Sequence, residues 1–354
     1  MAKATRLPRA STEIDIPEWL RHLPKAELHL HLEGTITPET LVVLSRRHDP
    51  HPLTLEAARK LYVYENFHAF LMTFKAVSER LRTPEDFAFI TYEMCRSLAQ
   101  QGVVHAEAYI SWGILYHAKP HLSIESVMDA VEAARLQAER DFGTTLLWII
   151  DAVRNFGLEE AAIVFRLAAK LQHKYPSIVG IGIGGDEARG PAAGFRDLYA
   201  EAKAAGLRLT AHAGESMGPE SIWSALNIGA ERIGHALSAQ HDPELLAILA
   251  QRQVPLEINL TSNIRTGCCS AYDAHPLRDY FDSGLMVTIN SDDPPMFGSH
   301  LLDEYILAQQ LFHFSLDQMR ELAANSVEAS FLPPDRKLKL LGQIEQYSPQ
   351  PKAS

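Results

Sequence analysis

Short β-branched and apolar runs alternate with longer amphipathic stretches along most of the chain. Eight such runs stand out: KAELHLHLEG (25–34), VVHAEAYIS (103–111), TTLLWIIDAV (144–153), IVGIGIGG (178–185), LRLTAHAGE (207–215), ERIGHAL (231–237), VPLEINLTSN (254–263) and LMVTINSDD (285–293). Runs of this kind predict strands, and the segments between them predict helices. SIESVMDAVEAARLQAERDF, LEEAAIVFRLAAKLQHKY and AAGFRDLYAEAKAAG are each long enough to cross back over a sheet. Strand and helix repeated eight times predict an α/β fold, the parallel (β/α)8 TIM barrel, whose usual length is about 250 residues. The excess of roughly 100 residues over that length sits mainly between the first two runs, where residues 38–100 predict extra helices. A doubly wound open sheet is the competing arrangement, and strand counting alone does not separate the two. Neither an internal repeat nor a low-complexity tract interrupts the pattern, so residues 15–346 read as a single domain. Residues 1–14 and 347–354 read as tails.

The polar positions tip the balance toward the barrel. Five runs turn polar at their C-terminal ends: His29 and His31 with Glu33, Asp186 with Glu187, His212 with Glu215, His235, and Asp292 with Asp293. In a barrel those ends converge on the face that carries catalysis. Leu28, Leu30 and Leu32 alternate with His29, His31 and Glu33, and the two-residue period of a strand puts both imidazoles on one face, toward the barrel interior. Two alternating histidines alone also fit a polar edge strand. Joined by further histidines and an aspartate at separate strand ends, they predict a metal site. Three histidines and a carboxylate suit zinc, with iron or manganese compatible with the same donors. Such an ion lowers the pKa of a bound water toward neutrality and supplies hydroxide.

Composition narrows the function. Lys+Arg number 33 against 44 Asp+Glu, a formal charge of −11, which excludes a generic basic nucleic-acid binder. Apolar residues at 46% support a large buried core. Cys95, Cys268 and Cys269 offer no disulfide framework, which fits a reducing cytoplasm. The basic N-terminal residues lack the apolar run of a signal peptide, and no stretch approaches the ~18 apolar residues of a membrane span. Gly180, Gly182 and Gly185 match a dinucleotide fingerprint in spacing, but they lie within the strand and no apolar helix start follows. Close approach of backbone to a ligand is the preferred reading there. No GxxxxGK loop, no HExxH helix and no His-x-Glu with Pro-Cys-x-x-Cys set occurs.

Six phrases, LPKAELHLHLEGTI, GIGGDE, TAHAGES, ERIGHAL, LTSNIRTG and NSDDPPMFG, together resemble the ordered signature of the adenosine deaminase family, metal-dependent barrels of the amidohydrolase superfamily. The resemblance runs from about residue 23 to 330. It implies one zinc ion per chain held by His29, His31, His212 and Asp292. It implies that Glu215 protonates ring nitrogen one of a purine and that His235 orients or deprotonates the metal-bound water. It further implies that Asp293 accepts a hydrogen bond near the imidazole ring of the base, and that the Gly185 N–H donates to ring nitrogen three. Those residue types suit the chemistry. Replacing an exocyclic amine needs a hydroxide nucleophile, a proton on the ring and a proton for departing ammonia. A metal, a carboxyl of raised pKa and a histidine supply them in turn.

Substrate choice rests on departures from that pattern. Glu33 stands where adenosine-specific members usually carry Asp beside the ribose, LEINLTSN lacks the usual Cys-Pro, and Ala236 replaces a glycine. The segment NFHAFLMTFKAV (66–77) resembles the helix that lids the pocket, with Phe67, Phe70, Leu71 and Phe74 at helical spacing. Trp112, ending the second strand, is placed to stack on a ring, and Arg154, following the third, to meet a carboxylate. The chain looks most like the bacterial branch that deaminates 6-amino-6-deoxyfutalosine, an adenine nucleoside with a carboxyphenyl group on the menaquinone route; adenosine or 2′-deoxyadenosine comes next, then adenine. Expected partners are this small substrate and water. A barrel hydrolase with a carbamylated lysine would need a lysine where the fourth strand ends in Gly-Gly-Asp-Glu. A non-catalytic relative would be expected to lack a ligand or Glu215, and none is missing.

Overall fold

A computed structural model describes residues 15–348. The expected tail 1–14 and residues 349–354 of the expected tail 347–354 lie outside the described residues. The eight runs form eight parallel strands: β1 (Lys25–His31), β2 (Val103–Ile110), β3 (Thr145–Val153), β4 (Ile178–Gly184), β5 (Arg208–Ala213), β6 (Arg232–His235), β7 (Leu256–Ile258) and β8 (Val287–Ile289). Their spatial order is their chain order, β1 to β8, which is the (β/α)8 barrel and not the reordered open sheet.

The seam between the last and first strands is closed differently from the rest. A single bridge pairs Leu30 with Asp292. Below it the Asn290 side-chain oxygen accepts the N–H groups of Leu28 at 2.9 Å and His29 at 3.2 Å, standing in for a backbone ladder. β7 and β8 are only 3 residues each. The seventh run, expected to be strand through residue 263, instead turns helical at Leu260. The N–H of Asn263 reaches back to the carbonyl of Asn259, and that of Thr266 to Ser262. This turn carries Ser262 and Asn263 back over the mouth.

Helix α1 (Ile16–His22) precedes β1. Between β1 and β2 lie α2 (Pro38–His48), α3 (Leu55–Leu61), α4 (Phe67–Ser78) and α5 (Pro84–Ala99), the expected extra helices. Their starts follow local chemistry. Thr37 and Asn66 accept the N–H groups of Thr40 and Ala69, and Thr83 with Asp86 forms a capping box ahead of Pro84. The remaining helices return the chain around the barrel: α6 (Trp112–Ala118), α7 (Ile124–Phe142), α8 (Leu158–Leu171), α9 (Arg196–Ala204), α10 (Pro219–Asn227), α11 (Pro243–Arg252), α12 (Leu260–Arg265), α13 (Leu277–Asp282), α14 (Pro294–Phe297), α15 (Leu301–Leu311), α16 (Leu316–Ala329) and α17 (Pro334–Gln346). Tyr347, expected to begin a tail, is docked: its ring lies 5.5 Å from that of Trp19, and its hydroxyl donates to the Trp19 carbonyl at 2.9 Å. No helix among the described residues is long and apolar enough to cross a membrane.

The barrel interior is filled. A Cβ on Gly182 would come within 2.7 Å of the Tyr109 ring, and one on Gly180 within 2.8 Å of the Arg208 carbonyl. Those two glycines therefore make room for the core and not for a ligand, as the sequence had suggested. Below Tyr109, the buried Arg232 pairs with Glu107 and, at 2.7 Å, with Glu257, while its guanidinium lies 3.9 Å from the Phe331 ring centroid. Each charge in this layer has a partner, the condition under which ions are tolerated inside a protein.

Candidate active site

At the C-terminal ends of the strands the structure brings together His29 and His31 from β1, His212 from β5, His235 from β6 and Asp292 just beyond β8. One ligand atom each from His29, His31 and Asp292 lies within 4.8 Å of the others, as do atoms of His29, His212 and His235. The Nε2 atoms of His31 and His212 are 3.1 Å apart, and Asp292 Oδ1 lies 3.4 Å from His31 Nε2 and 3.6 Å from His29 Nε2. The other faces of the rings are spoken for. His29 Nδ1 donates to Glu257 Oε2 at 2.7 Å and His212 Nδ1 to the Ile183 carbonyl at 3.1 Å. Both hydrogen bonds fix the tautomer that leaves Nε2 as a lone-pair donor. His29 Nε2 is buried with no hydrogen-bond partner among the described residues. An orphaned nitrogen, two converging imidazoles and a carboxylate fit a divalent cation with nitrogen and oxygen ligands.

Electrostatics sort the acids and bases. Burial disfavours a charge on His29, but Asp292 and Glu257 outweigh it and push its pKa up to about 10. His31 and His235 are pushed down to about 4, chiefly by burial, and stay neutral. Asp292 is held well below the usual carboxylate range: His29, His235 and His31 overcome the burial that opposes its charge. Its neighbour Asp293 is raised well above that range by burial and by the Asp292 charge. Glu215 is likewise raised, by burial first and then by Asp292 and Glu187, which favours its protonated form. His235 and Asp292 both have φ of 65°, a left-handed conformation that non-glycine residues adopt at a cost and that clusters at functional sites.

The remaining expected site residues divide. Glu33 is buried, with Oε1 accepting the Ser111 N–H at 3.0 Å and Oε2 unpartnered, and burial pushes its carboxyl to about 7. A Cβ on Gly34 would collide with the Asp293 carboxyl, so the backbone after Glu33 packs directly on that acid. Gly185 has φ of 91° and a Cβ there would meet the Asn155 amide at 2.6 Å, so only glycine suits the turn. Phe70 on α4 packs 4.9 Å from Phe297, ring to ring, and Phe67 stands half-buried beside it at 6.1 Å. Two expectations place differently. Trp112 is 0% exposed within the apolar core, so its ring faces side chains and not a ligand. Arg154 is 2% exposed, donating to the carbonyls of Gly190 (3.0 Å) and His212. A guanidinium spent on two carbonyls under the fifth strand end holds the backbone of His212 and is not held out toward a substrate carboxylate.

The profile describing adenosine deaminase matches residues 24–347. The chain belongs to the adenosine deaminase family. It is 40% identical over 350 residues to an aminodeoxyfutalosine deaminase of Streptomyces avermitilis, covering 98% of this chain and 97% of that protein. An adenine deaminase of Bordetella avium is 35% identical over 88% of this chain and 98% of its own length. Among solved structures, an adenine deaminase from Arthrobacter aurescens superposes with a TM-score of 0.85 at 33% identity, over 92% of this chain and 98% of that one. Like its family, the chain is a hydrolytic deaminase, an aminohydrolase.

Several residues that shape this deaminase site carry no role in the sequence reading. Glu257 orients His29. Asn259 and Asn263 bring their side-chain amides within 3.2 and 3.0 Å of His235 Nδ1. Glu187 accepts the N–H groups of Gly214, Glu215 and Ser216 at 2.8, 2.9 and 2.8 Å, fixing the loop that presents Glu215. Asp151 is buried beside His212, with one oxygen unpartnered. The available signal was strand alternation, since Glu257 and Asn259 are the two polar positions of one strand face in LEIN.

Proposed function

We propose that the chain is a zinc-dependent deaminase that replaces the 6-amino group of an adenine-type nucleoside by oxygen, with 6-amino-6-deoxyfutalosine as its substrate. The observation that carries the reading is the convergence of a buried carboxyl whose charge is disfavoured, Glu215, and a neutral imidazole, His235, on the His29–His31–His212–Asp292 cluster. His235 Nε2 lies 3.6 Å from Glu215 Oε2 and 3.9 Å from Asp292 Oδ2. Zinc held by His29, His31, His212 and Asp292 supplies Lewis-acid activation of water at neutral pH.

The protein's own groups do the rest. Glu215 gives its proton to ring nitrogen one as charge builds on the purine. His235, neutral and steered by Asn259 and Asn263, takes a proton from the attacking side and passes one to departing ammonia. Asp293 was expected as an acceptor near the imidazole ring of the base. Its raised pKa makes it an O–H donor, which is what the lone pair of ring nitrogen seven requires. The Gly185 N–H donates to ring nitrogen three, Glu33 faces the sugar, and α4 with Phe67 and Phe70 covers the pocket.

The relative from Streptomyces avermitilis supports the futalosine substrate. Since Arg154 is committed to backbone, we assign the carboxylate to Arg265. This exposed guanidinium ends α12 and sits 5.4 Å over the Tyr64 ring beneath the lid. Adenine is the second reading, favoured by the Arthrobacter aurescens structure. Ammonia release by the zinc-loaded protein, measured as kcat/KM across 6-amino-6-deoxyfutalosine, adenosine, 2′-deoxyadenosine and adenine, decides. A preference for the futalosine compound that falls at least tenfold in Arg265→Ala, with adenosine turnover unchanged, supports the assignment. Preference for adenine overturns it.

A further inference from the structure

The barrel interior changes character at one ring. On β2, Glu107 and Tyr109 are two residues apart and share the inward face. Glu107 belongs to the layer of Arg232, and Tyr109, buried with 0% exposure, separates that layer from the histidines. Its ring occupies the space that a side chain at Gly182 would fill. The hydroxyl is anchored. Thr210 Oγ1 accepts its proton at 3.0 Å, and Glu257 Oε2, which also accepts the His29 N–H, lies 3.3 Å away.

All three histidines of the candidate metal set rest on this ring. Its centroid is 4.9 Å from that of His31, 5.1 Å from that of His29 and 5.3 Å from that of His212. The angles differ. His29 and His212 meet the phenol at 55° and 60°, whereas His31 lies nearly parallel to it, at 20°. What else holds each imidazole differs in the same way. Glu257 fixes His29 through Nδ1, and the Ile183 carbonyl fixes His212 through Nδ1. His31 turns Nε2 to the cluster, and its Nδ1 has no hydrogen-bond partner among the described residues. An imidazole that ligates through one nitrogen is normally oriented by a hydrogen bond to the other. Where that bond is missing, a packed face has to stop the ring from turning, and the face against His31 is Tyr109.

We propose that Tyr109 is a positioning residue for the metal set: its ring, and not its hydroxyl, holds the His31 imidazole at the angle that aims Nε2 at His212 and Asp292. This role rests on the reading of His29, His31, His212 and Asp292 as zinc ligands. Zinc affinity of the full chain, measured by competition with a chelator, tests it without turnover. Tyr109→Leu should weaken zinc by about 10–100-fold, the range for an outer-shell partner of a ligand. Tyr109→Phe keeps the ring and should stay within about threefold of wild type. Phe331→Leu removes a ring one layer lower, against Arg232; it should lower the melting temperature yet leave zinc affinity within about threefold. A second readout uses the zinc-loaded wild type. Stacked over the phenol face, the carbon-bound ring protons of His31 should resonate upfield of those of His29 and His212 in proton NMR, and Tyr109→Phe should keep that displacement. Unchanged affinity in Tyr109→Leu, an equal loss in Phe331→Leu or an equal loss in Tyr109→Phe overturns the proposal. If Tyr109→Leu does not fold, the NMR displacement decides, and its absence overturns the proposal. A wild-type chain that takes up no zinc overturns the ligand set and the role of Tyr109 with it, while zinc uptake indifferent to Tyr109→Leu overturns the role of Tyr109 alone.

Discussion

The barrel holds two clusters of buried charge, one above the other, built from the same residue types. In the lower layer Arg232 sits between Glu107 and Glu257, and burial of the carboxylates is answered by the guanidinium: Glu107 is pulled down to about 2 although desolvation opposes it. In the upper layer the acids Glu33, Asp151, Glu215 and Asp293 crowd around the histidines; Arg154, which donates to two backbone carbonyls, only partly offsets the burial of Asp151 and Glu215, and each acid is pushed up instead. Below, charge is neutralised by a partner. Above, charge on these four acids is disfavoured, Asp292 stays ionised beside His29, and burial holds His31, His212 and His235 below the usual imidazole range. The first arrangement holds a fold together, while the second keeps acids and bases of shifted pKa at the mouth, as active sites do. Glu257 belongs to both, since one oxygen faces Arg232 and the other His29.

The comparison can be broken in order of expected size. Arg232→Met removes the guanidinium from two buried carboxylates, leaving Glu107 with His105 and Glu257 with His29, and should cost about 3–5 kcal/mol of unfolding free energy, read by denaturant titration; a loss under about 1 kcal/mol would mean that water reaches this layer. Glu215→Gln removes a proton donor and no structural charge pair. Turnover should fall by about 10²–10⁴-fold with zinc content and melting temperature unchanged, and loss of zinc in this variant would instead assign Glu215 to the metal. Glu257→Gln touches both layers. It should weaken zinc affinity by about 10–100-fold, the range for an outer-shell partner of a ligand, measured by competition with a chelator, and full retention would uncouple the layers.

The smallest effect sharpens the distinction with an acid of neither kind. Glu304 is buried against the hydroxyl of Ser299 and the N–H of Thr261 alone, and burial raises its carboxyl to about 7. Because the folded value lies above the unfolded value near 4.5, the folded state holds the extra proton. Stability is therefore greatest below about pH 4.5 and is lost as pH rises through about 7. Glu304→Gln should remove that decline and stabilise the protein at pH 8 by about 1–3 kcal/mol; equal melting curves for both proteins at pH 5 and pH 8 would contradict the raised value.

Strand positions were legible because each run carries its own period, and so were the residues that converge at the mouth, since C-terminal ends of barrel strands share one face. What the chain could not display was direction and partnership. Arg154 and Trp112 stand at strand ends as polar and aromatic residues should, yet one turns to carbonyls of Gly190 and His212 and the other into the apolar layer. Donor or acceptor character at Asp293 depends on the Asp292 charge beside it and on burial, neither of which is a property of residue type. Glu187, Asn259 and Asn263 act through atoms contributed by other strands, so their purpose emerges only after closure.

The side-chain seam between β8 and β1 bears on how the protein is made. His29 and Asn290 meet across 261 positions of sequence, and Asp292 follows two residues later. During synthesis from the N-terminus, His29, His31 and His212 are all translated before Asp292, the carboxylate of the proposed metal set. A nascent fragment ending before β8 would hold those three histidines without their carboxylate, so metal binding by that set would have to wait for β8.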